Sequence, residues 1–312
     1  SPHHANGTSF TATVLGIVTL EAFAGMWINA FIVSVICMAW IQKKTLNSNE
    51  KILLLLGFSR FWFLCISCLY YLFSTFYPNH LYVHPLFPLI SSIPTMFNEA
   101  HLWVSTCLCG FYCIKIANFS NSFFIYLKVK IDTIVPWLLL GSLLFSLVAG
   151  IIDYDATEKA LHKNLNHTSQ RIISKSSIRI DEHFSSLYFI SGFGFVTSFM
   201  AVTFSALLLL FSLWRHKRNM QANSMKDLSM DAHIKAMKSI LSFLLMYSLN
   251  FGVLISTLVS SFWKQNHVMF LIYVFLYAFP GVHSLILICT NPKLEKSMLS
   301  ILSCVNCKVC MK

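Results

Sequence analysis

Residues 94–120 read PTMFNEAHLWVSTCLCGFYCIKIANFS. The stretch is apolar enough to enter a membrane, yet it carries Asn98, Glu99, His101, Ser105 and Thr106. Polar groups at bilayer depth are costly unless they face protein or a watery cavity. On a helix, Asn98 and Lys115 stand roughly 25 Å apart at about 1.5 Å per residue. One helix thus carries a polar cluster near one membrane face and a cation near the other. It is suited to link a pocket on one side to a partner on the other.

The rest of the chain has the same character. It has 312 residues, 56% hydrophobic and only 11% charged, with mean hydropathy +0.66. Soluble domains carry about 25% charged residues, so the composition is that of a membrane protein. A spanning helix needs about 20 mainly apolar residues. Seven such segments are expected, at about 11–41, 52–73, 86–116, 133–152, 185–213, 237–259 and 268–289, with a tail over 290–312. The fold class is therefore an all-α seven-helix bundle in a single domain. The net charge of +11 does not point to nucleic acid, because the cations sit in short connections between apolar spans, where they set topology. Lys and Arg concentrate in the first, third and fifth connections and the tail. That bias puts the N-terminus outside and the C-terminus inside. The sequons at Asn6 and Asn166 then lie outside, as glycosylation requires, although Asn6 is close to the first span. No basic leader with a cleavage site precedes that span, so no signal peptide is expected.

Arg60 is the sharpest oddity, because an Arg at mid-span needs a partner inside the bundle. Glu21 and Asn29 in the first span, and His283 or Ser284 in the seventh, are the candidates. Glu21, Gly25 and Asn29 share one helical face. The cluster is either a static polar knot or one that rearranges on activation. Seven of the ten cysteines lie in or beside spans and three, Cys304, Cys307 and Cys310, lie in the tail. No outer disulfide is expected. The tail run CVNCKVC is too short to build a closed zinc site; palmitoylation and unmodified thiols are its two readings. The 12 histidines include no HExxH pair, and no metal or cofactor is expected. Paired intramembrane aspartates and a Ser/His/Asp set are also missing, so the chain does not look like an enzyme. A seven-span transporter or channel would want repeat symmetry or an acidic ion path, and neither is visible.

Specific strings then meet this topology. They are EAFAGMWINAFI from Glu21, Ser59-Arg60 after ILLLLGF, and FYCIKIANFS running on to FFIYLKVKI. VPWLLLGSLL, LLLLFSLWRHKRNMQ, AHIKAMKSILSFLLMY, His283-Ser284-Leu285 and Asn291-Pro292-Lys293-Leu294 follow in order. With them the chain resembles the vertebrate bitter taste receptors, the type 2 taste receptors, over nearly its whole length. The absence of DRY, CWxP and NPxxY agrees with that family rather than the rhodopsin-like one. The vomeronasal type 1 receptors are the nearest alternative. The resemblance implies a G-protein-coupled receptor at the plasma membrane. It implies a pocket for small bitter compounds in the outer half of the bundle, and gustducin or another inhibitory-class G protein as partner. It makes Asn98 a ligand contact, Tyr247 an aromatic switch and Tyr273 a pocket residue. Glu99 favours cationic ligands if it faces the cavity. Lys115, His216, Lys235 and Lys238 fall on the G-protein side, with simple topology cations as the plain reading. The chain departs from the family pattern in three places. Pro94 stands where many members have Trp, Ser198 where many have Pro, and Cys65 where many have Trp. Pro94 removes a stacking platform and bears on ligand preference.

Overall fold

The computed structural model describes residues 2–77, 85–117, 119, 121–168, 182–222, 241–242, 244–253, 255–256 and 266–310. Among these residues every regular element is helical. The helices are α1 (Pro2–Lys43), α2 (Ser48–Phe76), α3 (Leu86–Ile116), α4 (Ser122–Thr168) and α5 (Glu182–Ala222). They continue with α6 (Leu244–Val253), α7 (Asn266–Thr290) and α8 (Pro292–Cys310).

Local chemistry explains several boundaries. Between α1 and α2 the chain reverses through Lys44, whose φ of 58° is left-handed. Asn47 then caps α2: its Oδ1 accepts from the Glu50 amide at 2.8 Å, and the Glu50 carboxylate accepts from the Asn47 amide at 3.1 Å. This reciprocal box satisfies two donors that a helix start leaves free. Pro94 lies inside α3, where it leaves the Ile90 carbonyl without its helical donor, yet the helix runs on.

Two stretches outside the expected spans are helical. Residues 153–168 are helical, extending α4 well past the expected end of the span. The segment DYDATEKALHK carries an Asp155–Lys159 pair one turn apart at 2.6 Å, and Ala156 and Leu161 are buried. Helix-forming residues with an apolar stripe propagate a helix that polarity alone suggested was a loop. The tail forms α8, which buries Leu294 against the bundle and exposes Leu299, Ile301 and Leu302.

Among the described residues five helices are long and apolar enough to cross a membrane: Ala12–Lys43, Ser48–Phe76, Ser122–His162, Gly192–Arg215 and Leu271–Thr290. The outward faces are apolar, with Trp27 77% and Trp137 72% exposed. A soluble protein would not leave such large apolar surfaces bare, so the chain is a multi-pass membrane protein. The opening stretch, α3, falls short of that apolarity because its polar side chains interrupt it. Glu99, His101 and Ser105 are instead buried among other helices.

α3 lies at the centre and packs on α2, α4 and α5. One buried cluster joins α1, α2, α3, α4, α7 and α8 through Ile36, Leu56, Leu108, Val135, Ile288 and Leu294. A second joins α3, α5, α6 and α7 through Leu102, Phe195, Leu209, Tyr247 and Phe279. A third joins α1, α2 and α7 around Val18, Leu64 and Tyr277. Where α1 meets α7 the backbones nearly touch. A Cβ on Gly281 would stand 3.2 Å from the Gly25 Cα, so glycine at both positions sets the approach of these helices.

Candidate functional site: a buried arginine knot and its aromatic contacts

Arg60 is fully buried. Its Nη1 donates to Ser284 Oγ at 2.9 Å and its Nη2 to Ser105 Oγ at 3.1 Å. Nη2 also donates to His283 Nδ1. Arginine has no acceptor, so His283 Nδ1 must offer its lone pair, and the ring is then the neutral Nε2–H form. The network continues outward from these partners. Ser284 Oγ donates to Asn29 Oδ1 at 2.8 Å, Asn29 Nδ2 donates to the Gly25 carbonyl at 2.8 Å, and Ser105 Oγ donates to the His101 carbonyl at 2.7 Å. Four helices, α1, α2, α3 and α7, are thereby tied to one cation. Among the described residues no carboxylate pairs with Arg60; oxygen dipoles and an imidazole solvate it.

Of the expected partners, Asn29, His283 and Ser284 join the knot. Glu21 does not. It lies two turns from Asn29, about 12 Å along the axis, and its Oε2 is buried without a hydrogen-bond partner. Ser105 completes the network from α3. It was visible as a polar residue within a span, but spacing along α3 could not say which helix it faced.

Tyr247 stands at the centre of a polar and aromatic cluster. It is buried, and its hydroxyl donates to the Leu102 carbonyl at 3.1 Å and shares a 2.9 Å bond with Ser198 Oγ. Ser198 therefore supplies a hydroxyl where a proline could supply none. Tyr247 meets Phe279 edge-on at 6.2 Å, and Phe279 packs on His283 at 5.8 Å and on His101 at 6.4 Å. His101 in turn lies 5.5 Å from Phe63. Aromatic contact thus runs from α6 through α7 into the arginine knot. Phe279 and His101 were missed as links, because one Phe among 28 carries no sequence signal of its own. Tyr273 is half-buried and packs on Tyr71 at 5.8 Å. Asn98 is half-buried on α3.

Glu99 points elsewhere. It is 1% exposed, its carboxyl oxygens have no hydrogen bond of good geometry, and the Trp103 indole is its polar neighbour. A Cβ on Gly194 of α5 would stand 2.9 Å from Glu99 Oε2 and 3.2 Å from Phe145 of α4. The side chain therefore lies between α3, α4 and α5. Beside Pro94, Thr95 donates to Asp153 at 2.6 Å, which fixes this end of α3 to the extended α4. Asp153, expected in a solvated loop, is itself buried.

At the other end of α3, Lys115 forms a 2.7 Å ion pair with Asp132, both partners well exposed at 38% and 56%. Tyr112 donates to Asn49 at 3.1 Å, and Lys293 of α8 pairs with Glu50 at the start of α2. Lys235 and Lys238 lie outside the described residues. So do the side chains of His216, Asn6, Asn166, Cys304, Cys307 and Cys310. Among the described residues no group of three or more His, Cys, Asp or Glu side chains could hold a metal ion. The described cysteines Cys37, Cys65, Cys68, Cys107, Cys109, Cys113 and Cys289 are free thiols.

The comparisons with known proteins agree along the length of the chain. The family profile for taste receptor protein (TAS2R) matches residues 7–306. The chain is 32% identical to taste receptor type 2 member 40 of Gallus gallus over 302 residues, covering 95% of this chain and 96% of that receptor. It is 31% identical to taste receptor type 2 member 9 of Homo sapiens over 303 residues, covering 96% of each. It is 33% identical to taste receptor type 2 member 104 of Rattus norvegicus over 299 residues, covering 94% and 96%. A family profile that matches the chain from near its start to near its end, with relatives above 30% identity over nearly their whole length, leads to one conclusion: the protein belongs to the taste receptor protein (TAS2R) family, which are membrane receptors and not enzymes.

Proposed function

We propose that this chain is a bitter taste receptor of the plasma membrane, with seven spans, its N-terminus outside and its C-terminus inside. Small bitter compounds bind in the outer half of the bundle, at Asn98, Tyr247 and Tyr273, with Pro94 shaping the entrance. A heterotrimeric G protein of the gustducin or inhibitory class engages the inner ends, near Lys115, His216, Lys235 and Lys238. Asn166 and Asn6 are the glycosylation positions, and the tail cysteines Cys304, Cys307 and Cys310 are the lipidation positions.

The observation that carries this reading is the contact series Tyr247–Phe279–His283–Arg60. It supplies a physical route by which a change beside the pocket alters the knot that binds four helices. The mechanism is a population shift: an agonist that contacts the active bundle better than the inactive one raises the active fraction. Moving from 1% to 99% active takes a preference of about 10⁴-fold. A weak preference for the active form thus gives only a partial response.

The test is a bitter-compound panel on cells that co-express the receptor with a chimeric G-protein α subunit. Calcium release that requires the chimera is the expected result. Tyr247→Phe removes both hydroxyl bonds. Intramembrane hydrogen bonds average about 0.6 kcal/mol each, so the half-maximal concentration should rise roughly three- to tenfold. Silence across the panel, from a receptor shown to reach the surface, would sink the reading.

A further inference from the structure

On the outer face of the bundle α3, α4 and α5 enclose a groove of about 500 Å³. None of Asn98, Tyr247 and Tyr273 lines it. Its rim includes Trp137, Leu138 and Phe193, which are among the more exposed apolar residues of the chain. In a membrane those residues meet lipid, so the groove opens sideways into the bilayer, and its occupant must partition there first. Gly110 and Gly141 form part of its walls, and a Cβ at either would meet nothing within 4 Å. The space is open down to the backbone.

The chemistry of the walls is one-sided. Trp103 and Phe145 pack edge-on at 5.2 Å and present aromatic surface. The hydroxyls of Thr106, Ser142 and Thr197 already donate to carbonyls of their own helices, those of Leu102, Leu138 and Phe193, at 3.0, 2.8 and 2.7 Å. What such a hydroxyl has left to offer is lone pairs. No Lys, Arg or His lines the groove. Behind the Phe145 ring lies the Glu99 carboxyl: both come within 3.2 Å of the same point above Gly194. That carboxyl is buried, with the Trp103 indole as its polar neighbour and no hydrogen bond of good geometry. Acceptor oxygens, aromatic faces and a carboxyl that has no cationic partner among the described residues all favour a cation. The apolar remainder and the lateral opening favour a greasy body.

We propose that this groove is a second ligand site, taking lipophilic amines from the bilayer: molecules with an apolar body and one protonated nitrogen. The nitrogen lies against the aromatic pair and the hydroxyl oxygens, and rotation of the Phe145 ring brings it to Glu99. Asn98, Tyr247 and Tyr273 do not line the groove, so the site's existence does not depend on agonism at those residues.

The experiment uses the full chain in lipid nanodiscs and a dodecylamine that carries a photoreactive diazirine and an alkyne handle. The N-acetyl derivative serves as the uncharged match. A diazirine-bearing phosphatidylcholine reports on lipid acyl chains. Labelled peptides are mapped by mass spectrometry. The amine is expected to label the peptides around residues 103–114 and 137–145, and the neutral amide to label them about tenfold less, the size of one charge-assisted contact. Glu99→Gln should lower amine labelling and leave the amide unchanged. Gly141→Trp should abolish labelling by both by filling the groove. If Gly141→Trp does not yield folded protein, Gly110→Leu fills the groove from its other wall and reads the same quantity. Equal labelling by amine and amide overturns the proposal. So does labelling confined to other helices, or amine labelling unaltered in the filled variants. Groove labelling by the phosphatidylcholine that excess dodecylamine does not displace overturns it too.

Discussion

Replacing Ser284 by alanine tests the reading of the arginine knot most directly. Ser284 both accepts from Arg60 Nη1 and donates to Asn29 Oδ1. Its loss strands a buried donor on a cation and a buried acceptor on α1. Each stranded group costs about 1–3 kcal/mol, so Ser284→Ala should destabilise the bundle by roughly 2–5 kcal/mol. Removing the cation itself is gentler, against the usual intuition about charge. Arg60→Met leaves the Ser284–Asn29 bond standing and Ser105 still bonded to the His101 carbonyl. His283 Nδ1 is the main group left without a donor. Replacing a buried charge with an apolar group of similar size is often neutral. The assay follows from the cysteines: Cys68, Cys109 and Cys113 are buried free thiols, which become reactive to a fluorogenic maleimide when the bundle opens. Ser284→Ala should lower the unfolding midpoint by about 5–10 °C, and Arg60→Met by less. A Ser284→Ala midpoint equal to the parent's, or an Arg60→Met midpoint lower than that of Ser284→Ala, would refute the account of what the knot's bonds are worth.

Two further outcomes are expected. Gly281→Ala places a Cβ 3.2 Å from the Gly25 backbone, which cannot swing away as a side chain can. α1 and α7 must separate at a cost of about 1–3 kcal/mol, seen as a lower unfolding midpoint, while Gly110→Ala, which meets open space, leaves it unchanged. Lys115→Ala breaks an exposed ion pair worth under about 1 kcal/mol, so surface expression should hold while signalling weakens. Asp132→Ala breaks the same pair and keeps the cation, so it should spare signalling, and equal losses in the two variants would show that the pair matters and not the lysine's outward contact.

Much of this protein was legible before any coordinates. Apolar runs of spanning length gave helices because the bilayer leaves the backbone no other way to satisfy itself. Arg60 announced a knot because a cation cannot lie unsolvated in an apolar helix, and His283, Ser284 and Asn29 were the polar residues able to reach it. What stayed hidden were contacts between residues far apart in sequence. Which way Glu99 points depends on how α3 is rotated against α4 and α5, and nothing along α3 alone fixes that rotation. The joining of Phe279 to Tyr247 and His283 depends on where α6 stands, as does the use of the Ser198 hydroxyl. Asp153 looked like a loop residue because charge usually marks water, and only the packing of α4 on Thr95 made it a buried acceptor. Periodicity and the cost of burying charge thus determined the elements and the presence of a polar core. Helix rotation and close approach, set by side-chain shape across the whole bundle, decided which polar groups meet and which, like Glu99, are buried without a cation beside them.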